Sequence, residues 1–398
     1  MICSFLITSE ASIIKAVSNS VFIASYSANF LPFAWLALLP LNLVVVSAYN
    51  RFLPKIGCFK MLLFTTLFTI AVNIFGSYYL SDIKWFPFAL YLWKDLYIML
   101  MFQQLWSVLN ATITISKAKY LYGIFYGVGG VGSAIGSLIP GFFAVRFGSE
   151  KLLLITIPFY ALLILSYGIM LKIRERHPEI EALDFNAKEK SNFSTAVAQI
   201  FQSKLLVFIL LLVIFMQISS TLLDFKFNSA IEGLYPIKDV RTQYLGRFFG
   251  IINMVSVALQ FVGSFLFVHI LGLKRSHTVI PLFLMICASL VLAVPIFPLI
   301  ALTYGAIKAI DYSIFGVVKE LLYIPLSMEE KFKAKSVIDI FAYRSSKAIA
   351  SLSVIVLEFF FLAHTQRVIS ILLFIIFALW TLSVVALYKT EKVVKSII

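Results

Sequence analysis

The chain has 398 residues, 61% of them hydrophobic and only 13% charged, with a mean hydropathy of +0.97. A water-soluble domain carries about 25% charged residues, and a large buried core cannot explain the deficit, because a chain of this size still has a broad surface to cover. Most of the exterior therefore faces something other than water, and the 39 phenylalanines suit contact with lipid tails. The formal net charge of +14 invites a nucleic-acid reading, which the placement of the charges argues against. Cys3, Cys58 and Cys287 form no CxxC and no spaced Cys/His set, so neither a disulfide framework nor a zinc site is indicated. His177, His269, His277 and His364 are scattered, and the N-terminus lacks the basic stretch and small-residue cleavage site of a secretory leader.

A helix needs about 20 apolar residues to cross the hydrocarbon core. Twelve such stretches are predicted, near 2–25, 31–50, 61–80, 86–109, 122–146, 151–171, 205–227, 246–271, 278–297, 299–322, 337–362 and 368–388. The first is the weakest: it carries Glu10, Lys15 and several serines, which leaves two alternatives, a break in it or a true start lying upstream. The expected class is an all-α polytopic membrane protein of about twelve transmembrane helices. The longest polar segment, 172–204, divides them into an N-terminal half over 1–171 and a C-terminal half over 205–398 with a short tail. With the N-terminus in the cytoplasm, the inside segments hold 19 Lys and Arg and the outside segments seven, so the positive-inside rule favours that orientation. The basic charge is mainly a topology signal, helped by anionic lipid.

The halves carry a trace of a repeat. Lys117-Ala118-Lys119 and Lys333-Ala334-Lys335 lie 216 positions apart, and at that offset Ile124-Phe125 matches Ile340-Phe341 and Asp95 matches Asp311. Parallel six-helix repeats are how major facilitator transporters are built.

Inside the predicted helices lie seven basic residues (Lys15, Lys94, Lys226, Lys308, Lys319, Arg344 and Lys347) and seven acids (Glu10, Asp95, Asp224, Asp311, Glu320, Asp339 and Glu358). Each costs about 2.5–3.5 kcal/mol or more at the bilayer centre, so they line a wet cavity, pair with one another or sit near helix ends. Lys319, Glu320, Asp339 and Glu358 lie near predicted ends, where snorkelling or structural pairing is the plainer reading. Asp95, Asp224, Lys226, Arg344 and Lys347 are the better cavity candidates. Arg344 and Lys347 are three apart and share a helical face. Lys308 and Asp311 also share a face and are expected to neutralise each other, Asp224 and Asn228 are one turn apart, and the adjacent Lys94 and Asp95 are expected to point apart. The equality of seven and seven leaves two alternatives: acids that pair at gates while a few cations stay available, or a substrate that is not strongly anionic.

Gly127-Val128-Gly129-Gly130-Val131-Gly132 formally reads GxGxxG but lies within a long apolar helix with no preceding strand, so the dinucleotide reading fails. Gly129, Ser133, Ser137 and Gly141 instead form a small-residue stripe that lets helices approach closely. Pro32, Pro40, Pro140, Pro281 and Pro295 are placed in helices, where they would free backbone groups and bend them. No Walker A sequence, HExxH, metal set or Ser/His/Asp constellation is present, so neither ATP hydrolysis nor another enzymatic activity is expected, and no cofactor.

The stretch from Lys308 to Ser351, with Lys319-Glu320-Leu321-Leu322-Tyr323-Ile324-Pro325, Glu329-Glu330-Lys331, Lys333-Ala334-Lys335, Ile338-Asp339 and Tyr343-Arg344, resembles the nucleotide (ATP/ADP) transporter family of plastids and intracellular bacteria. Leu105-Trp106, Asn110 and Ala118-Lys119, followed by the Gly-rich helix, resemble that family's fourth and fifth helices, and Leu223-Asp224-Phe225-Lys226 the start of its second half. The similarity runs from about residue 15 to 388. It implies a major-facilitator-like fold that exchanges nucleotides by alternating access. Asp224 falls where members carry a Glu, Lys347 on an essential lysine, Asp95 or Lys94 near a second Glu, and Asn110 follows the pattern. The family's first-helix Lys falls at Ser18, with Lys15 one turn away. Tyr343-Arg344 and the Gly-rich helix are closer to a bacterial side branch, which leaves the substrate more open than the fold. The expected substrate-binding set is thus Lys347, Arg344, Asp224, Lys226, Asp95, Lys94, Asn110, Lys15 and Lys308. The expected partners are a nucleotide or another small solute and membrane lipid, with no nucleic acid. The expected location is a cell inner (plasma) membrane rather than a plastid envelope, with both termini cytoplasmic. The alternative is a major-facilitator-type carrier of another solute, proton-coupled through Asp95 or Asp224.

Overall fold

The computed structural model describes residues 1–110, 115–175, 198, 200–323, 326, 337–338 and 342–389. Among these the regular structure is entirely helical. Helix α1 runs Ile2–Tyr26, α2 Leu31–Ile56, α3 Cys58–Tyr79, α4 Phe86–Asn110, α5 Ile115–Phe147, α6 Leu152–Ile155 and α7 Ile157–Glu175. Next come α8 Lys204–Leu234, α9 Lys238–Ala258, α10 Ser264–Ala293, α11 Phe297–Ile310, α12 Gly316–Leu322, α13 Tyr343–Phe361 and α14 Thr365–Lys389. Among the described residues, ten helical stretches are long and apolar enough to cross a membrane. Helices α4 and α13 coincide with the remaining two predicted spans and carry Lys94, Asp95, Arg344 and Lys347. Phe64, Leu67, Phe142, Phe359, Phe360 and Leu382 stand outward and exposed, as lipid contact requires and water would penalise.

The breaks between helices follow local chemistry. Gly272 adopts a φ of 73°, which an L side chain resists, and splits α10 into two helical pieces. Pro32 occupies the first turn of α2 and Pro295 lies between α10 and α11, so these two prolines bound helices rather than bend them. Pro40, Pro140 and Pro281 do lie inside helices, as predicted. π-helical turns at Leu259–Gly263 and Asp311–Phe315 join α9 to α10 and α11 to α12.

The chain forms two compact units: Met1–Ala187 with Glu232–Val257, and Lys188–Ile231 with Ala258–Ile398. Helix α8 passes from the second into the first at its C-terminal end, and α9 packs with the first. The core of the first unit gathers Ile7, Ile13, Ile14 and Val17 of α1 with Leu62 of α3, Leu90, Tyr97 and Met101 of α4, and Leu152 and Leu163 beyond.

The break weighed as one alternative for the first helix is not found: α1 is continuous over Ile2–Tyr26 and largely buried. Its polar residues face protein rather than lipid. The hydroxyls of Ser4, Thr8 and Ser9 donate to the carbonyls of Phe125, Gly129 and Gly132 at 3.3, 2.7 and 2.9 Å. These bonds need close backbones, and glycine supplies them: a Cβ on Gly136 would collide with the Ser9 backbone. The opposite side of α5 meets α9 in the same way, with Gly141 against Gly246 and Asn253 donating to Ser133 O (3.2 Å) and Ser137 Oγ (3.0 Å). The Gly/Ser run is thus a packing device on two faces of α5, and Gly132 and Gly136 extend the predicted stripe.

Candidate functional site

In the second unit Asp224 on α8 is the centre of a polar cluster. Its Oδ1 accepts from Asn228 Nδ2 at 2.9 Å and from the Tyr304 hydroxyl at 3.1 Å. Its Oδ2 lies 3.5 Å from Lys308 Nζ, which donates to Ser220 Oγ at 2.8 Å. The Asp224–Asn228 bond is the one-turn spacing read from the sequence. The Tyr304 ring stacks on Phe227, centroids 4.4 Å apart, which fixes where its hydroxyl points. Lys308 was expected to neutralise Asp311, one turn along α11. It sits beside Asp224 instead. The reason is spatial: α8 brings the Asp224 carboxylate across to α11, a contact that spacing along one helix cannot show.

Lys226, two residues from Asp224, is buried and donates to the Gln366 carbonyl at 2.8 Å, so it ties α8 to the first turn of α14. Arg344 and Lys347 occupy the first two turns of α13 on one face, both half-buried.

In the first unit Lys94 Nζ donates to Asp95 Oδ1 at 2.8 Å and lies 4.1 Å from the centre of the Tyr91 ring. These neighbours were expected to point apart. The Cα–Cβ bonds do diverge, but the four-carbon lysine stem reaches back, and pairing is favoured because Lys94 is almost wholly buried. Lys15 places its ammonium 4.2 Å from the centre of the Phe249 ring, a cation–π contact to α9. Asn110 ends α4, and its side chain lies outside the described residues, as do the side chains of Lys117 and Lys119, the segment 333–335, Asp339, and 176–197 and 199 of the polar segment.

Two features escaped the sequence reading. Arg241, between the predicted spans 205–227 and 246–271, lies in α9, is 1% exposed, and donates to Ser20 O (2.8 Å), Ser20 Oγ (3.2 Å) and Tyr235 O (3.1 Å). Around it Asp239 accepts from Ser149 N and Oγ, Lys238 pairs with Glu150, and Glu232 accepts from Ser27 Oγ and Ala28 N. The second is the setting of Glu10, buried at 1% exposure on α1 and held by the Tyr97 hydroxyl at 2.5 Å. The sequence marked the acid but not its partner on α4.

Long apolar helices that enclose paired and half-buried charges make this a multi-pass membrane transporter, a chain that moves a solute rather than transforming it. The fold agrees. The chain superimposes on the nucleoside transporter NupG with a TM-score of 0.64 at 10% identity, covering 96% of this chain and 99% of that one. It matches a bacterial homologue of the iron transporter ferroportin at a TM-score of 0.63 and 12% identity, covering 95% and 96%. The architecture is that of the major facilitator transporters.

A family model described as TLC ATP/ADP transporter matches residues 84–390, and the chain belongs to that family. ADP,ATP carrier protein 1 of Rickettsia typhi is 26% identical over 341 residues, covering 76% of this chain and 67% of the carrier. ADP,ATP carrier protein 1 of Chlamydia pneumoniae is 28% identical over 345 residues, covering 75% of this chain and 65% of the carrier. The chain thus spans about two thirds of the length of these relatives.

Proposed function

We propose that the chain exchanges ATP and ADP across a membrane by alternating access. The observation that carries this reading is the family match over residues 84–390, which takes in α4, Asp224, Lys308 and the whole of α13. Arg344 and Lys347 hold the phosphates, because charge-assisted bonds to phosphate oxygens favour Arg and Lys. Asp224 and Lys308 form a paired gate: while paired they offer an anion little net charge, and a phosphate that competes for Lys308 releases Asp224. Lys94 and Asp95 act in the same way in the first unit. Each nucleotide binds both inward-open and outward-open states and carries the equilibrium between them.

The 216-residue offset supports two six-helix repeats, 1–171 and 205–398, joined by a cytoplasmic loop, and the excess of Lys and Arg on one side favours cytoplasmic termini. The bacterial carriers among the relatives favour a cell inner membrane.

A ligand that binds only the folded state stabilises it, by about 2.7 kcal/mol at a hundredfold excess over Kd. ATP and ADP are expected to raise the unfolding temperature of the detergent-solubilised protein, and Lys347→Ala to abolish the rise. An unfolding temperature that ignores every nucleotide while responding to another solute would replace the reading.

A further inference from the structure

Glu10 takes no part in the proposed nucleotide site, yet it anchors a polar chain in the interior of the first unit. Glu10 (α1), Asn73 (α3), Tyr97 (α4), Thr156 (between α6 and α7) and Tyr160 (α7) are each no more than 1% exposed. Tyr97 donates its hydroxyl proton to Glu10 Oε1 at 2.5 Å. Thr156 donates to Leu153 O at 2.6 Å and accepts from Asn73 Nδ2 at 2.9 Å, which fixes the amide so that Asn73 Oδ1 faces inward. The Tyr160 hydroxyl lies near Glu10, Tyr97 and Asn73 and forms a hydrogen bond to none of them. Three buried atoms are left without a partner: Glu10 Oε2, the Tyr160 hydroxyl and Asn73 Oδ1.

A proton count separates the two forms of Glu10. If the carboxyl is ionised, the single Tyr160 proton serves either Oε2 or Asn73 Oδ1, and one buried acceptor stays orphaned. If Oε2 carries a proton, it donates to the Tyr160 oxygen, Tyr160 donates to Asn73 Oδ1, and every group is satisfied. Buried polar atoms in folded proteins are almost always paired, and an ionised carboxylate at this depth would also need a cation. Among the described residues no Lys, Arg or His forms an ion pair with Glu10. The groups that face it are Tyr97 from α4 and Tyr160 from α7. Helix α5 presents glycines to α1 at Gly129, Gly132 and Gly136.

We propose that Glu10 is a proton-binding site, loaded while α1 is packed against α4, α5 and α7, and that transport requires this proton: its loss leaves a buried charge that disrupts the packing of α1. The ligand is the proton itself, and Tyr97, Tyr160 and Asn73 form its polar surroundings in the first unit. The competing occupant is a trapped water that bridges the three orphans around an ionised carboxylate.

The experiment compares wild type, Glu10→Gln and Tyr97→Phe between pH 5.5 and 8.5. In proteoliposomes loaded with ADP, uptake of labelled ATP by wild type is expected to fall about tenfold per pH unit along an alkaline limb. Glu10→Gln, whose amide N–H replaces the carboxyl O–H, is expected to transport without that limb. Tyr97→Phe removes a donor that favours the ionised form, so its limb moves to higher pH. A wild type with no limb, or a Glu10→Gln profile that keeps it, overturns the proposal. The uptake arm rests on the nucleotide-exchange reading, and the second arm does not: thermal unfolding of the purified proteins over the same pH range. The folded chain would hold a proton that the unfolded chain sheds, so wild-type stability falls as pH rises, and Glu10→Gln lacks that component. Parallel unfolding curves identify the bridging water and sink the proton site even if no nucleotide is transported. Should Glu10→Gln fail to assemble, an unshifted Tyr97→Phe limb is decisive in the same direction.

Discussion

Asp224 and Lys308, on different helices, stand 3.5 Å apart in the second unit, and each is also held by neutral partners: Asn228 and Tyr304 on the acid, Ser220 on the lysine. The arrangement keeps both side chains positioned whether or not they face each other. That is what a pair must do if it opens and closes with the substrate.

Lys308→Ala leaves Asp224 half-buried without its cation. Removing one partner of a buried pair typically costs about 3–5 kcal/mol, so a lower unfolding temperature is expected, together with at least a tenfold loss of exchange. The double variant Asp224→Asn/Lys308→Ala should recover most of the stability but not the transport. Thermal unfolding and labelled-nucleotide uptake on the same preparations separate the two effects.

Lys347→Ala is expected to abolish uptake, and Lys347→Arg to retain part of it, because the positive charge persists while the donor geometry changes. The check is uptake against substrate concentration: a role in binding raises the apparent KM of Lys347→Arg, whereas an unchanged KM clears the residue.

Gly136 has no room for a side chain against the Ser9 backbone, nor Gly246 against Gly141. Forcing extra atoms into close-packed positions costs about 1–3 kcal/mol or more each. Gly136→Val and Gly246→Val should therefore lower stability sharply, whereas Gly123→Val, with open space around it, should not. Unfolding temperatures in detergent provide the comparison.

Glu150, in the turn between α5 and α6, is pushed upward by burial, but bonds from Lys238 and Ser81 outweigh this and hold its carboxyl below the usual 4.5. A depressed carboxyl contributes stability above its unfolded pKa and loses it as pH falls through the folded value. The Lys238–Glu150 attachment is expected to weaken below about pH 4.5, where free carboxyls titrate, and Glu150→Gln to remove that acid sensitivity. Limited proteolysis near the 232–241 turn across an acid series reports it.

Much of the fold was legible because lipid imposes a coarse rule, about 20 apolar residues per crossing. The stripe through Gly129 and Gly141 was equally plain, since small residues at helical spacing have little other use in an apolar helix. What the sequence hid were the partners. The serines and Glu10 of α1 looked like breakers of a lipid-facing helix, yet they face α4 and α5. Lys308 looked bound to Asp311 by spacing alone, and only the approach of α8 to α11 reveals Asp224. Arg241 sat in a charged stretch that reads as loop, and its burial depends on backbone carbonyls that no side-chain pattern announces. The same limit applies to the phosphate-holding roles of Arg344 and Lys347, which rest on the family's pattern.

The central claim is exchange of adenine nucleotides, and counter-transport measures it directly. Purified protein in vesicles preloaded with ADP should take up labelled ATP, while vesicles without internal nucleotide should take up almost none. Equal uptake with empty and ADP-loaded vesicles, or no uptake in either while another solute is carried, would contradict the account.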